Sequence, residues 1–238
     1  MPDSLKQSLK ETVCDMKKIR YKCLVLDHDD TTVRSTPDVH YPQWRETLET
    51  LRPDDEMMSL ETFMLYNFNI GFYEMIDSVL HFTPEEKILQ DKMWREYTDR
   101  HRAGFYEGIA GIIREYKECG GVICVCTHNA AKNILLDYEK EYGGEIKPDM
   151  IFDYDFCKSR IKPDPYALNE IMRIYGLKPG EILMLDDMKP GYDMAKKVGV
   201  PFAAAGWSHI VPQIREFMQQ NCDMYFSSVQ EFEKQLFL

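Results

Sequence analysis

Short apolar runs alternate along most of the chain with longer segments in which apolar residues recur at helical spacing. The first run, Cys23–Leu26, is too short for a typical helix and ends abruptly in carboxylates and hydroxyls, which predicts a buried strand. Later runs predict further strands at Val122–Cys126, Met150–Phe152, 182–185, 201–204 and Met224–Phe226. Helical stripes separate these runs, and the alternation predicts an α/β fold with a parallel sheet.

Residues 34–106 have a different character. Aromatic residues, methionines and charges dominate, strand-like runs are absent, and apolar residues recur at helical spacing. The pattern predicts an inserted all-helical domain of about three to five helices, given helices of ordinary length. We therefore expect two domains: a doubly wound, mainly parallel core made of residues 1–33 and 107–238, and a helical insertion made of residues 34–106.

Individual helices of the insertion can be placed from their apolar stripes and capping residues. One stripe begins at Trp44, which we expect to be a core residue. Thr83 and Glu86 flank Pro84 in the pattern of a capping box, which predicts a helix start there. A further stripe predicts one apolar helix face, formed by Phe72, Met75, Ile76 and Val79.

Composition excludes several functional classes. The formal net charge is -11, and no basic stripe interrupts it, which opposes binding to nucleic acid. Seven cysteines without a CxxC pair predict reduced thiols in a cytoplasmic protein, and neither a disulfide framework nor a zinc site. Residues 1–22 carry charges throughout and lack the apolar stretch of a signal peptide or membrane anchor, so no membrane association is expected.

Polar groups of specific kinds follow four of the predicted strands. Asp27 and Asp29 come directly after the first strand, and Thr127 follows the second. The third leads through a loop to Lys162, and the fourth is followed by Asp186-Asp187. Because ligands bind at the carboxyl ends of parallel strands, we expect these groups to converge. Four converging carboxylates would repel each other and any phosphate, so the pattern indicates a divalent cation, Mg²⁺, together with the lysine.

These motifs together resemble the haloacid dehalogenase-like superfamily, in the branch with a helical cap that includes β-phosphoglucomutase and phosphoglycolate phosphatase relatives. The family pattern is an apolar strand followed by DxDGT, a strand ending in Thr or Ser, then a Lys, then an acidic pair. This chain has Asp27-His28-Asp29-Asp30-Thr31, Thr127, Lys162 and Asp186-Asp187 in that order. The resemblance implies a Rossmann-like core, a cap that closes over the site, and a hydrolase that uses Mg²⁺.

The resemblance also implies a role for each matching residue. Asp27 would attack phosphorus and form an aspartyl-phosphate, while Asp29 would protonate the leaving alcohol and then activate water. Thr127 and Lys162 would hold phosphate oxygens and stabilise the transferring group. The Mg²⁺ ligands would be Asp27, the main-chain carbonyl of Asp29 and Asp187. Asp186 would either bind the ion directly or contact one of its ligands.

Histidine and asparagine residues near these motifs have less specific patterns. His40, at the start of the insertion, and His128, after the second strand, are expected to contact substrate. Asn129 either contacts substrate or caps the following helix. His28 is expected to be a loop residue directed toward the insertion.

Two departures from the family pattern bear on function. Asp30 replaces the family's glycine; aspartate tolerates a left-handed turn but places one more negative charge near the phosphate. Residues 69–73 lack the arginine with which the related sugar phosphomutase grips a second phosphate, which favours a phosphatase.

The sequence therefore predicts a Mg²⁺-dependent phosphatase, monomeric or homodimeric, that acts on small phosphorylated metabolites such as sugar phosphates or phosphoglycolate. A phosphomutase is the alternative enzyme. A weakly active binding or regulatory protein on the same fold is the non-enzymatic alternative, and only Asp30 encourages it. Dehalogenation is disfavoured, because a dehalogenase of this family needs neither the acid/base at Asp29 nor the second acidic site at Asp187.

Overall fold

The computed structural model describes residues 17–155 and 160–238. Its strands are β1 (Cys23–Leu26), β2 (Val122–Cys126), β3 (Met150–Phe152), β4 (Ile182–Asp186), β5 (Phe202–Ala205) and β6 (Met224–Phe226). They form one sheet in the order β3-β2-β1-β4-β5-β6, and every neighbouring pair is parallel. The strand order reverses between β1 and β4. In such sheets, ligands bind outside the carboxyl ends of the strands at this reversal.

The predicted strands are all present, and three of their boundaries differ from the prediction by one residue. Strand β4 continues to Asp186, because Asp186 pairs with Ala204 across the ladder to β5. Strand β5 begins and ends one residue later than predicted, at Phe202 and Ala205. As a result, Asp186 is the last residue of a buried strand, and its carboxylate lies at the sheet edge where ligands bind.

Helices cover both faces of the sheet and make up the insertion. The insertion holds α1 (Tyr41–Leu51), α2 (Leu60–Asn69) and α3 (Pro84–Thr98), a short turn of helix at Phe72–Glu74, and π-helical turns at Thr36–His40 and Met75–Val79. The sheet is flanked by α4 (Ile109–Glu118), α5 (Ala131–Tyr142), α6 (Tyr166–Tyr175), α7 (Lys189–Val198), α8 (Pro212–Asn221) and α9 (Val229–Leu236). The predicted α/β fold with a helical insertion is confirmed, whereas the exact domain boundaries stay a prediction.

The sheet separates two hydrophobic clusters. Cys23 and Val25 of β1 belong to one cluster, and Leu24 and Leu26 belong to the other. Successive residues of a strand point to opposite faces, so a strand covered by helices on both faces must be apolar at every position. This explains why β1 appears in the sequence as an uninterrupted apolar run.

The insertion has an aromatic core of its own. Trp44 is 1% exposed, and its ring lies 5.6–5.8 Å, between ring centroids, from Phe63, Phe72 and Phe82. The expectation that Trp44 is a core residue is confirmed. The predicted capping box at the start of α3 is also present, with the Thr83 side chain accepting from the main-chain N–H of Glu86 and the Glu86 carboxylate accepting in return.

The predicted helix face from Phe72 to Val79 is only partly correct. Met75 and Ile76 are buried, but Val79 is 37% exposed. The chain changes to π-helical turns at Met75–Val79, in which hydrogen bonds span five residues, and this wider turn rotates later side chains away from the face that an α-helix would give them.

Two expectations drawn from composition can be compared with the structure. Within the described ranges, no helix is long and apolar enough to cross a membrane, and no disulfide is formed. The expectation that the chain start holds neither a signal peptide nor a membrane anchor rests largely on residues 1–16, which lie outside the described residues.

Candidate active site

Four charged side chains from separate parts of the chain meet beyond the carboxyl ends of β1 and β4. Asp27 follows β1, Asp186 ends β4, Asp187 comes next, and Lys162 lies in the loop before α6. The Lys162 ammonium lies 2.6 Å from Oδ1 of Asp27 and 2.6 Å from Oδ2 of Asp186. All four residues are at most 6% exposed. Three acids and one base are therefore concentrated in a space largely shielded from water.

Burial and mutual repulsion govern protonation in this cluster. Burial raises the pKa of Asp27 well above its ordinary value, and the charge of Asp186 raises it further against the opposing effect of Lys162. Burial likewise raises the pKa of Asp187, followed by the charges of Asp30 and Asp186. Burial opposes the positive charge of Lys162, but Asp186 and Asp27 outweigh it and hold the pKa of Lys162 above its ordinary value. One lysine thus leaves part of the negative charge uncompensated.

The donor set fits a hard divalent cation. Asp27, Asp186 and Asp187 each present a carboxylate oxygen, and these atoms lie within 4.8 Å of one another. Oxygen ligands of this kind suit Mg²⁺, whose charge would relieve the repulsion. The Thr31 hydroxyl donates to Oδ1 of Asp187 at 3.2 Å and orients that carboxylate. Asp186 has protein partners on both oxygens, Lys162 on one and a main-chain N–H of the following turn on the other.

Gly191 supports the cluster from the first turn of α7. A Cβ atom at this position would overlap the Asp186 carboxylate, so only glycine allows the helix to approach so closely. We expect Gly191→Ala to displace Asp186, to weaken Mg²⁺ activation at least about tenfold, and to lower the free energy of unfolding by about 1–3 kcal/mol. Activity titrated with Mg²⁺ and urea unfolding measure the two effects.

Gly180 provides the matched control for this substitution. A Cβ there would meet nothing within 4 Å, so Gly180→Ala should change neither quantity appreciably. If Gly191→Ala behaved like Gly180→Ala in both measurements, the close packing of α7 against Asp186 would have no functional consequence.

Asp29 is held by the insertion and by the core at once. Its Oδ1 lies 2.9 Å from Nε2 of His40 and accepts a hydrogen bond from Asn129 at 3.1 Å. Trp94 of α3 donates from its indole N–H to Nδ1 of His40 at 3.3 Å, which leaves Nε2 to carry the ring proton and donate to Asp29. Burial opposes the charge of Asp29, but His40 outweighs burial and holds the pKa of Asp29 below its ordinary value. Asp29 is thus a carboxylate oriented in part by the insertion.

Asp30 adopts the left-handed conformation, with φ of 55°. Its Oδ1 accepts the main-chain N–H of Thr36 at 3.0 Å. Burial raises the pKa of Asp30 to about 6, against the opposing effect of the Thr36 hydrogen bonds. The expectation that aspartate can replace glycine in this turn is confirmed, and its carboxylate gains a structural role that glycine could not supply.

Substitution of Asp30 tests this role. Asp30→Ala should lower the free energy of unfolding by about 2 kcal/mol, roughly half from the left-handed conformation and half from the lost hydrogen bond. Asp30→Asn, which tolerates the same conformation and keeps an acceptor, should lose much less. Urea unfolding compares the two variants, and equal stabilities would contradict the assignment.

Thr127 and His128 both follow β2 but differ in position. The Thr127 hydroxyl accepts the main-chain N–H of Asn129 at 3.0 Å, which leaves its own hydrogen to donate elsewhere. His128 lines the cavity that lies between the charged cluster and the insertion, whereas Thr127 is not among the described lining residues. The Nε2 of His128 lies 3.0 Å from the carbonyl oxygen of Lys162. Burial, followed by the Lys162 charge, lowers the pKa of His128 to about 4, so its ring is neutral at neutral pH.

The structure excludes one of the two alternatives for Asn129, which lines the cavity, and overturns the expectation for His28. Ala130 holds the N-cap position of α5, and the Asn129 amide instead donates to Asp29, so the helix-capping alternative is wrong. The expectation that His28 points toward the insertion is also wrong. His28 is fully buried in the core, with Nε2 2.9 Å from Oδ2 of Asp137, because the chain leaving β1 turns alternate side chains to opposite sides.

Two residues in contact with the site were not predicted. His209 lies after β5, and its Nε2 is 2.8 Å from the main-chain oxygen of Asp187. Its position just beyond a strand end could have revealed it. Trp94 lines the cavity and reaches Asp29 only through His40, and nothing in the pattern of α3 distinguishes it from a helix-core aromatic.

A cavity of about 530 Å³ lies between the charged cluster and the insertion. Asp27, Asp29 and Lys162 line it on the core side, and side chains of α1, α2 and α3 line it on the other. This volume falls in the range of about 300–1,000 Å³ that is typical of small-molecule sites. The cavity can therefore accept a molecule considerably larger than a phosphate ion.

Comparison with known proteins gives consistent results. The haloacid dehalogenase-like hydrolase family matches residues 21–199. A phosphoglycolate phosphatase of Mesorhizobium japonicum is 30% identical over 112 residues, which cover 47% of this chain and 48% of the relative, so the match spans about half of that protein. A phosphoglycolate phosphatase of Thiobacillus denitrificans is 22% identical over 186 residues, covering 76% of this chain and 81% of the relative.

The fold also has counterparts among solved structures. A Bacteroides fragilis protein classed as a haloacid dehalogenase-like hydrolase superposes with a TM-score of 0.72 at 17% identity, covering 89% of this chain and 99% of the other. At that identity the likeness concerns the fold alone.

Proposed function

This chain belongs to the haloacid dehalogenase-like hydrolase family, and on that premise we propose that it is a Mg²⁺-dependent phosphatase of small phosphate monoesters. The observation that carries the proposal is the buried cluster at the reversal of strand order, in which Lys162 is bonded to Asp27 and Asp186, and Asp187 lies beside these two carboxylates. The cluster combines a nucleophile, a cation site and a fixed positive charge. The cavity above it offers room for the alcohol portion of an ester.

The residues present fit Mg²⁺ in the following way. Asp27, Asp187 and the main-chain carbonyl of Asp29 would hold the cation, and Asp186 would support it while bonded to Lys162. When bound, Mg²⁺ would neutralise the carboxylates and draw charge from the phosphate oxygens. With the carboxylates neutralised in this way, a phosphate dianion would be able to approach a group of acids that otherwise repels it.

The first chemical step belongs to Asp27 and Asp29. A carboxylate oxygen of Asp27 attacks phosphorus, and the bond between phosphorus and the alcohol oxygen breaks. The product is an aspartyl-phosphate, and Asp29 gives its proton to the departing alcohol. The Lys162 ammonium and the Thr127 hydroxyl stabilise the charge that spreads over the remaining phosphate oxygens.

The second step reverses the role of Asp29. As a carboxylate, Asp29 takes a proton from water, whose oxygen attacks phosphorus and breaks the bond to Asp27. The lowered pKa of Asp29 suits this step. The first step instead requires Asp29 to carry a proton. The negative charge of the incoming phosphate favours this state, because a nearby negative charge raises the pKa of a carboxyl group.

A phosphomutase receives less support from the chain. Residues 69–73 line the cavity and contain neither lysine nor arginine, so they offer no charge to hold a second phosphate. Sugar phosphates and phosphoglycolate, a cytoplasmic location and a monomeric or homodimeric state all stay predictions from the sequence.

The proposal is tested with a panel of phosphate monoesters assayed with Mg²⁺, with EDTA, and with Mg²⁺ restored. We expect release of inorganic phosphate from at least one ester, its loss in EDTA, and its recovery. Binding of esters without hydrolysis of any would favour the non-enzymatic alternative. Isomerisation of a sugar phosphate primed by a sugar bisphosphate would favour the phosphomutase.

A further inference from the structure

The insertion gives the cavity a wall of aromatic rings. Its contributing aromatic residues are Trp44, Phe63, Phe68, Phe72, Tyr73 and Trp94. The aromatic surface continues across the cleft to the core, where the ring of Tyr154 stacks on Tyr73 at 5.7 Å between centroids and 17° between planes. The cavity is thus closed from the insertion side mainly by apolar surface.

The polar groups of this wall are neutral or negative. Gln43, Asn67 and Gln90 contribute amides, while Glu74 and Asp91 contribute carboxylates. Among the residues of the insertion that line the cavity there is neither lysine nor arginine, within the part of the chain that the structure describes. Within the described residues, the insertion therefore offers hydrogen bonds to a substrate but no lysine or arginine charge.

Cations close to the cavity are already engaged by carboxylates. Arg95 lies one turn along α3 from Asp91, and its guanidinium binds Asp91 at 3.0 Å and Asp155 at 3.5 Å. Lys189 lines the cavity on the core side, and its ammonium is paired with Asp193. Lys162 is shared between Asp27 and Asp186.

Among the residues that the structure describes, a second negative charge on the substrate would find no lysine or arginine that is not already paired with a carboxylate. Desolvating a carboxylate without a compensating cation is strongly unfavourable, and the faces of aromatic rings carry negative potential that repels an anion. A neutral ring, in contrast, can pack against the wall and displace water from it.

Resting on the phosphatase function proposed above, we propose that the cavity selects phosphate monoesters whose alcohol carries no negative charge and presents a ring or another apolar surface. Phosphoglycolate, a small ester whose alcohol portion carries a carboxylate, is then a poor substrate, although the two curated relatives carry its name.

A matched pair of esters tests the charge. Benzyl phosphate and 4-carboxybenzyl phosphate differ only in a carboxylate remote from the reacting phosphorus. We expect kcat/KM for benzyl phosphate to be at least about 100-fold higher, and phosphoglycolate to be at least as poor as the carboxylated ester. Glucose 6-phosphate has an alcohol portion that is uncharged but polar, so we expect a lower kcat/KM for it than for benzyl phosphate.

The outcomes separate the two proposals. If the enzyme with Mg²⁺ hydrolyses no ester, the phosphatase function itself is wrong. If kcat/KM for the carboxylated ester or for phosphoglycolate equals that for benzyl phosphate, the function stands and the selectivity inference is overturned. Preference for glucose 6-phosphate over benzyl phosphate would likewise overturn the apolar part of the inference.

A substitution in the wall tests the cause of the selectivity. Asn69 lines the cavity from the exposed end of α2, so a longer side chain there can be accommodated. Asn69→Arg should raise the ratio of kcat/KM for 4-carboxybenzyl phosphate to that for benzyl phosphate by at least about tenfold. Asn69→Gln, which adds length without charge, should leave this ratio near that of the parent chain. An equal ratio in the two variants would contradict the idea that a missing cation causes the rejection.

Discussion

Asp27→Asn should abolish turnover while leaving the fold intact. The asparagine amide is nearly isosteric with the carboxylate but cannot attack phosphorus, so no aspartyl-phosphate forms. We expect kcat to fall by about four orders of magnitude or more, the scale seen when an enzyme loses its nucleophile. The raised pKa of Asp27 shows that its negative charge is unfavourable in this buried cluster. Replacing the carboxylate by a neutral amide should therefore lower the free energy of unfolding only slightly.

Phosphate release from the best ester of the panel measures the loss, and far-ultraviolet circular dichroism with urea unfolding monitors the fold. Asp153→Asn is the matched control. Asp153 is another buried aspartate beyond a parallel strand, but its Oδ2 accepts the main-chain N–H of Ala131, and it lies outside the cluster. The control should retain activity within a few-fold. Activity of Asp27→Asn comparable to that of the control would rule out Asp27 as the nucleophile.

Lys162→Met should impair both catalysis and stability. The ammonium lies 2.6 Å from carboxylates of Asp27 and Asp186, and all three groups are buried. Removing one partner of a buried ion pair typically costs about 3–5 kcal/mol of folding free energy, because the remaining charges lose their compensation. Loss of a fixed charge beside the phosphate should also lower kcat by about 10²–10³-fold.

Urea unfolding without Mg²⁺ and phosphate release with saturating Mg²⁺ separate these two effects. Lys178→Met, at an exposed position before β4, provides the control and should affect neither measurement appreciably. If Mg²⁺ restored full activity to Lys162→Met, the lysine would serve only to balance charge in the cluster. Its assignment to the phosphate would then be wrong.

The elements that were predicted correctly depend on local patterns. A strand covered on both faces must be apolar throughout, so β1 to β4 and β6 could be placed within a residue from short apolar runs. The start of α3 could be placed because Thr83 and Glu86 satisfy main-chain groups within one turn of each other. Such contacts span a few residues and leave a signature in the sequence.

The incorrect or missing predictions depend on contacts between distant segments. The sequence predicts that His28 points toward the insertion. In the structure its ring lies in the core, where it contacts Asp137, a residue 109 positions later in the chain. Trp94 reaches Asp29 only through His40, 54 positions earlier. Neither partner can be inferred from spacing, because it depends on how the insertion packs on the sheet.

The sequence by itself determined the order of strands and helices and the chemical groups that follow each strand, because backbone geometry ties these features to local periodicity. The position of Asp27, Lys162 and Asp187 after predicted strands also indicates these residues as candidates for the site. Only the tertiary structure decided which atoms come within reach of one another: that one lysine is shared by two carboxylates, that Asp29 depends on the insertion for its orientation, and that the described part of the insertion lines the cavity with rings, amides and carboxylates but with neither lysine nor arginine. These properties arise from packing between distant segments, where distance and burial set the strength of each charge.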